Sequence, residues 1–126
     1  MQSLETLIRA SSRALVVGVG GGGDVVGALA TARFLEFCGL EFVLGGLSWE
    51  RNVYDPILGP RKLGETRNVR VLHPFAWMAN ADSQTDTGVY FAESRMAAAL
   101  AQAVLLIDIN GGTASVVDGI EIAMQE

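Results

Sequence analysis

ALVVGVGGGGD, residues 14–24, is the stretch on which the fold turns. Ala14–Val19 is a continuous apolar run of strand length, which predicts a strand buried on both faces, as in a parallel sheet. Gly20, Gly21, Gly22 and Gly23 stop it. Asp24 follows in an N-cap position. Val25, Ala28, Leu29, Ala32 and Leu35 then mark one face of a helix, which Gly39 ends.

The same signals continue outward in both directions. Leu4, Leu7 and Ile8 are spaced for a short amphipathic opening helix. Glu41–Leu44 is a second strand, closed by Gly45 and Gly46, and an irregular stretch runs from Leu47 to Arg67, with turns at Asp55-Pro56 and Gly59-Pro60. Val69–Leu72 is a third strand ended by His73-Pro74, and Asn80–Gly88 is a polar loop with nothing to bury. An alanine-rich helix is expected over 89–103, a fourth strand over Val104–Ile107, and a second glycine turn over Asp108–Thr113. The last helix carries Val116, Ile120, Ala123 and Met124 on one face, with Ser115 and Asp118 spaced like a capping box. Strands alternating with helices or long crossovers predict an α/β fold. The expected form is a Rossmann-like three-layer α/β/α domain over 1–126, with a parallel sheet of about four strands in the order 3-2-1-4.

Composition narrows the function classes. Half of the 126 residues are hydrophobic and 18% are charged, so the chain can build a core and is not a disordered tail. Nine basic residues against fourteen acidic ones, net −5, form no stripe for a phosphate backbone, so no nucleic-acid partner is expected. Cys38 is the single cysteine, which rules out an internal disulfide framework and fits a reducing compartment. Glu5 and Arg9 interrupt the N-terminal apolar stretch, unlike a signal peptide, and no apolar run reaches 18 residues. The expectation is a cytoplasmic protein with no membrane partner.

In an open parallel sheet, ligands bind beyond the carboxyl ends of the strands where the strand order reverses. For the order 3-2-1-4 that point lies between the first and fourth strands, the two followed by glycine turns. Glycine lets a ligand approach the main chain, and each following helix presents unpaired N–H groups. The expected ligand-binding residues are therefore Gly20, Gly21, Gly22, Gly23, Asp24, Asn110, Gly111, Gly112 and Thr113. Trp49, Glu50 and Arg51 follow the second strand and supply an aromatic platform and an anion-binding fork.

Gly18, Gly20 and Gly23 satisfy the spacing of a dinucleotide fingerprint, but no carboxylate ends the second strand to hold a ribose. Asp24 also competes with a phosphate for the helix N–H groups. Two unit charges 4 Å apart repel by about 4 kcal/mol at an effective dielectric of 20. A divalent ion or an arginine between them would relieve this. The loop carboxylates Asp24, Asp82, Asp86 and Asp108 offer oxygen ligands for Mg²⁺ or Mn²⁺, and equally suit a sugar or an ammonium group. Asp24, Asp108 and His73 are the candidate catalytic groups.

GVGGGGDVVGALATARFLE, VLGGLSWERNVYDPILGPRKL, DTGVYFAES and LLIDINGGTASVVDGI together resemble an uncharacterised prokaryotic family, domain-of-unknown-function family 1152. The resemblance implies a Rossmann-like protein of unassigned activity. It marks Gly20–Asp24, Trp49–Arg51, Thr87, Gly88, Glu93 and Asp108–Gly112 as signature positions, which adds Thr87 and Gly88 to the expected ligand-binding set. It also implies that the chain covers the N-terminal part of the family and is truncated at its C-terminus. Three functions are expected in this order: binding of a small polar or phosphorylated, nucleotide-like ligand; a divalent-metal enzyme acting on a polar metabolite; and a non-catalytic assembly module. The cofactor is a nucleotide or Mg²⁺ under the first two. Open sheet edges lead to the expectation of a homo-oligomer.

Overall fold

The computed structural model describes residues 2–20, 24–48, 57 and 59–126. The order of elements is α1 (Leu4–Ala10), β1 (Arg13–Gly18), α2 (Asp24–Phe37), β2 (Glu41–Leu47), a 3-10 turn at Leu63–Glu65, β3 (Thr66–His73), β4 (Ala76–Thr85), α3 (Ala92–Leu100), β5 (Val104–Ile107) and α4 (Thr113–Met124). The five strands form one mixed sheet in the order β1-β2-β5-β4-β3. β2 pairs in parallel with β1 and with β5, whereas β4 is antiparallel to both β5 and β3.

This sheet corrects the expected order 3-2-1-4 and the expected parallel, four-stranded form. The unforeseen strand is β4. His73-Pro74 resembles a strand terminator but is one side of a hairpin turn, after which Ala76 pairs back on His73. The supposed polar loop continues the strand to Thr85, with a bulge between the Val69–Ala79 and Arg67–Gln84 pairs. Its polar residues serve the backbone. The Ser83 hydroxyl accepts from the Asn80 amide at 2.8 Å and donates to the Asn68 carbonyl at 2.6 Å. Asn68 itself takes a left-handed φ of 60°, a conformation asparagine tolerates better than most residues.

β1 is an edge strand, so its apolar run is not buried on both faces as expected. Its residues 14–17 are half-buried. One face of the sheet is covered by α2 and α3, whose Val25, Ala32, Met96 and Ala97 pack with Leu44 and Val104. On the other face α4 packs Val116, Ile120 and Ala123 against Ala76, Leu105 and Ile107. α4 lies mainly across β3, β4 and β5, which leaves Leu15, Val17 and Val43 beside a groove of about 330 Å³. A third apolar cluster joins Trp77, Ala79, Phe91 and Leu106. Strand periodicity explains the division: Trp77, Ala79 and Leu106 face one way, Ala76, Leu105 and Ile107 the other.

The boundaries differ in smaller ways. β2 runs through Gly45 and Gly46 because these residues pair with Leu105 and Leu106. α3 starts at Ala92, where the Ser94 hydroxyl accepts from the Phe91 amide at 3.0 Å. Asp24 is the first helical residue of α2. α4 begins after Gly112, and the Ser115 hydroxyl donates to the Gly112 carbonyl at 2.7 Å, so Ser115 does not open a capping box.

β1 and α2 touch at Gly18, where an added Cβ would collide with the Asp24 carbonyl, whereas Gly27 on α2 has open space around it. Gly18→Ala is expected to lower stability by about 1–3 kcal/mol through overpacking. Gly27→Ala is expected to raise it by about 0.5–1 kcal/mol through helix propensity. Chemical denaturation of the two variants checks both signs.

Candidate functional site

Parallel pairing on both sides of β2 carries the ends of β1, β2 and β5 to the same edge of the sheet. Gly20 and Asp24 after β1 and the Asp108–Thr113 turn after β5 therefore share an edge, but they are not adjacent. β2 separates them, so β1 and β5 lie roughly 9–10 Å apart, two strand spacings. This corrects the expectation that the strand order reverses between the first and fourth strands. The turn at Pro74–Phe75 reaches the same edge, since Ala76 pairs with Ile107 and the Asp108 amide donates to the Phe75 carbonyl at 2.8 Å.

At the β1 side, Gly20 has φ 150°, and its Cα lies so close to the Asp24 carboxylate that a side chain there would collide with it. Asp24 is exposed at the start of α2, where its charge favours the helix dipole. Gly21, Gly22, Gly23, Trp49, Glu50 and Arg51 lie outside the described residues. At the end of β2, the buried Ser48 donates its amide to the Ile107 carbonyl at 2.8 Å, and its hydroxyl accepts from the Ile109 amide at 3.2 Å. These bonds stitch β2 to the chain leaving β5.

The β5 side is built around Asp108, which is 4% exposed. Its Oδ1 accepts from the Asn110 amide at 2.8 Å and from Asn110 Nδ2 at 2.6 Å. Asn110 Nδ2 also lies 3.2 Å from the Pro60 carbonyl and 3.3 Å from that of Arg61. Asp108 thus orients a side chain that grips a distant segment. Gly111 is required by packing, because a Cβ there would stand 2.7 Å from Ser115 Cβ and 2.8 Å from the Phe75 ring. Gly112 is the N-cap of α4, with φ 80°, no side-chain cap and open space where a Cβ would stand. Thr113 is exposed in the first turn.

The remaining expected residues are used elsewhere. His73 Nδ1 accepts from the Phe75 amide at 3.2 Å, which makes the imidazole part of the hairpin turn. Thr87 Oγ1 is 2.8 Å from Thr85 Oγ1, and Gly88, at φ 83°, donates its amide to the Thr85 carbonyl. Asp86 pairs with Arg67 Nε at 3.2 Å on an exposed surface. Asp82 sits in the β4 bulge, where its amide donates to Asn80 Oδ1 at 2.8 Å. The expected convergence of Asp24, Asp82, Asp86 and Asp108 is therefore not formed. Among the described residues no three His, Cys, Asp or Glu side chains gather as metal ligands.

Two buried charged residues stand out that the residue patterns did not single out for a role. Glu93, 3% exposed in the first turn of α3, lies over Gly46, where any side chain would collide with its carboxylate. Glycine at 46 therefore admits an acid to the carboxyl end of β2. Arg61, also 3% exposed, has Nη1 4.0 Å from Glu65 Oε2. The pairing of Gly46 with Glu93 joins positions 47 residues apart in the chain, and only the resemblance marked Glu93.

Asn110→Ala removes the grip on residues 60 and 61. It is expected to lower stability by about 1–3 kcal/mol and to speed tryptic cleavage after Arg61 and Lys62. Cleavage at the wild-type rate would show that the Asp108–Asn110 clamp does not hold this segment.

With this geometry in hand, comparison with known proteins gives one finding. The chain matches, over residues 15–126, a family described as protein of unknown function (DUF1152). No curated protein and no solved structure matches it. No described helix is long and apolar enough to cross a membrane.

Proposed function

The chain belongs to the DUF1152 family, and from that premise we propose that it is a Rossmann-like domain binding a small phosphorylated, nucleotide-like ligand at the carboxyl edge of β1, β2 and β5. The shared edge of these three parallel strands carries the reading. Two helices, α2 and α4, start from this edge, and each N-terminus offers N–H groups and a partial positive charge to an anion. The open, uncapped turn at Gly112 supports main-chain contact with the ligand. Asn110 and Thr113 add polar side chains beside it. Gly21, Gly22, Gly23, Trp49, Glu50 and Arg51 complete the proposed contact set.

Asp24 sets the sign of the test. Its exposed carboxylate stands at the α2 N-terminus, where a phosphate would bind, and like charges there repel. Calorimetric titration with nucleoside mono-, di- and triphosphates is expected to give a Kd of about 10–100 μM for at least one ligand. Without divalent ions, Asp24→Asn is expected to tighten binding about tenfold. Weaker binding in the variant, only when Mg²⁺ is present, would instead assign Asp24 to a metal bridging it to the phosphate. Silence across the panel at millimolar ligand, with the protein folded, overturns the reading.

A self-association reading is compatible with the first and rests on a separate observation. Among the described residues β1 has an unpaired edge, and beside it Leu15, Val17, Val43 and Met124 line the groove that α4 leaves open. An open edge next to apolar surface favours pairing with a second copy. Light scattering at micromolar concentration is expected to give a dimer or larger species, which Val17→Lys disperses. A wild-type monomer rejects this reading and leaves ligand binding untouched.

A further inference from the structure

The bulge in the β3–β4 hairpin borders a wide, shallow groove of about 630 Å³ that is open to solvent, with Asn68, Arg70, Asn80, Asp82, Gln84 and Tyr90 among its lining residues. These residues belong to no part of the ligand site proposed above. The backbone of the bulge is satisfied from within. Asn80 Nδ2 donates to the Asn68 carbonyl at 2.9 Å, Asn68 Nδ2 donates to the Asp82 carbonyl at 3.0 Å, and the fully buried Ser83 joins both strands. Three polar heads are left over. Among the described residues, the Asp82 carboxylate, the Gln84 amide and the Tyr90 hydroxyl make no hydrogen bond.

Charge and polarity select the occupant. The two charged residues of the lining are of opposite sign, and Arg70 is held 3.5 Å from Glu126, so nothing in the groove favours a phosphate dianion. Val69 and the Tyr90 ring are the groove's apolar surfaces, too little for a large hydrophobic ligand. What remains suits a compact neutral molecule with many hydroxyls. A carboxylate accepts two vicinal hydroxyls at once, and an amide both donates and accepts. An aromatic ring covers a C–H face. Tyr90 is 41% exposed, and Arg95 stands 6.0 Å from its ring centroid, which steadies the ring.

We propose that this groove is a subsite for a neutral polyhydroxylated ligand, a single pyranose unit. Proton–nitrogen NMR of the full chain, titrated with monosaccharides, their methyl glycosides and disaccharides to about 50 mM, tests it. Saturable shifts are expected for the side-chain amides of Asn68 and Gln84 and for backbone amides of 80–84, with a Kd of about 1–10 mM. Shifts with free monosaccharides identify a free sugar, and shifts confined to the glycosides and disaccharides identify a unit of a larger glycan. Gln84→Ala and Tyr90→Ala are each expected to weaken binding at least about fivefold, and Tyr90→Phe, which keeps the ring, about twofold. Asp24→Asn is expected to leave sugar binding unchanged, which separates this subsite from the nucleotide-like site. No shifts with any saccharide, shifts confined to other residues, or wild-type binding by folded Gln84→Ala or Tyr90→Ala would each overturn the proposal.

Discussion

The hydrogen-bond ladders on the two sides of β2 are the constraint from which the rest of the molecule follows. Because both ladders are parallel, the chain leaves β1, β2 and β5 at one edge and must cross back to enter the next parallel strand at the other. α2 makes the return from β1 to β2, the longer connection from β2 to β5 runs through β3, β4 and α3, and α2 and α3 share a core around Leu44 and Val104. β2 can sit between β1 and β5 because Gly45 and Gly46 leave its carboxyl half narrow. A Cβ on Gly45 would press on Leu105 at 3.0 Å, and one on Gly46 would displace Glu93. Small residues here trade strand propensity for close approach.

The antiparallel half of the sheet follows another logic. β4 completes the far side of β5, and its turn with β3 returns to the edge where the parallel strands end. Its sequence is polar where a strand is usually alternating, and the polar groups serve as internal partners for a bulged backbone. Buried backbone groups must be paired, so the side chains of Asn68, Asn80 and Ser83 take over where the ladder is interrupted. The same economy appears at Asp108, whose carboxylate is spent on orienting Asn110. A carboxylate committed in this way is a structural group first, which shifts attention within the edge toward Asp24 and the buried Glu93.

The edge combines features that favour an anion with one that opposes it. Two helix N-termini and an open glycine turn attract negative charge, while Asp24 repels it. The proposed site would discriminate, rejecting simple anions unless a cation or further contacts compensate. The groove at the bulge has the opposite character, nearly balanced in charge and rich in hydrogen-bonding groups. The two proposed sites would therefore address different chemistry on one scaffold.

Local sequence alone determined the helices, three strands of the parallel set and the glycine turns after two of them. Apolar runs bounded by glycine leave the backbone few other choices. The position of the strands was decided only in three dimensions. An apolar run such as Ala14–Val19 serves equally at the centre or the edge of a sheet, and its place was settled in space by pairing with β2 alone. β4 was invisible because its period-2 signal is broken by the bulge, where the Asn80 and Ser83 side chains pair with the main chain. The meeting of Gly46 with Glu93, and of Asn110 with Pro60 and Arg61, was hidden for a simpler reason. Such contacts join segments 47 to 50 residues apart, and local sequence patterns constrain neighbours along the chain while packing and hydrogen bonding choose neighbours in space.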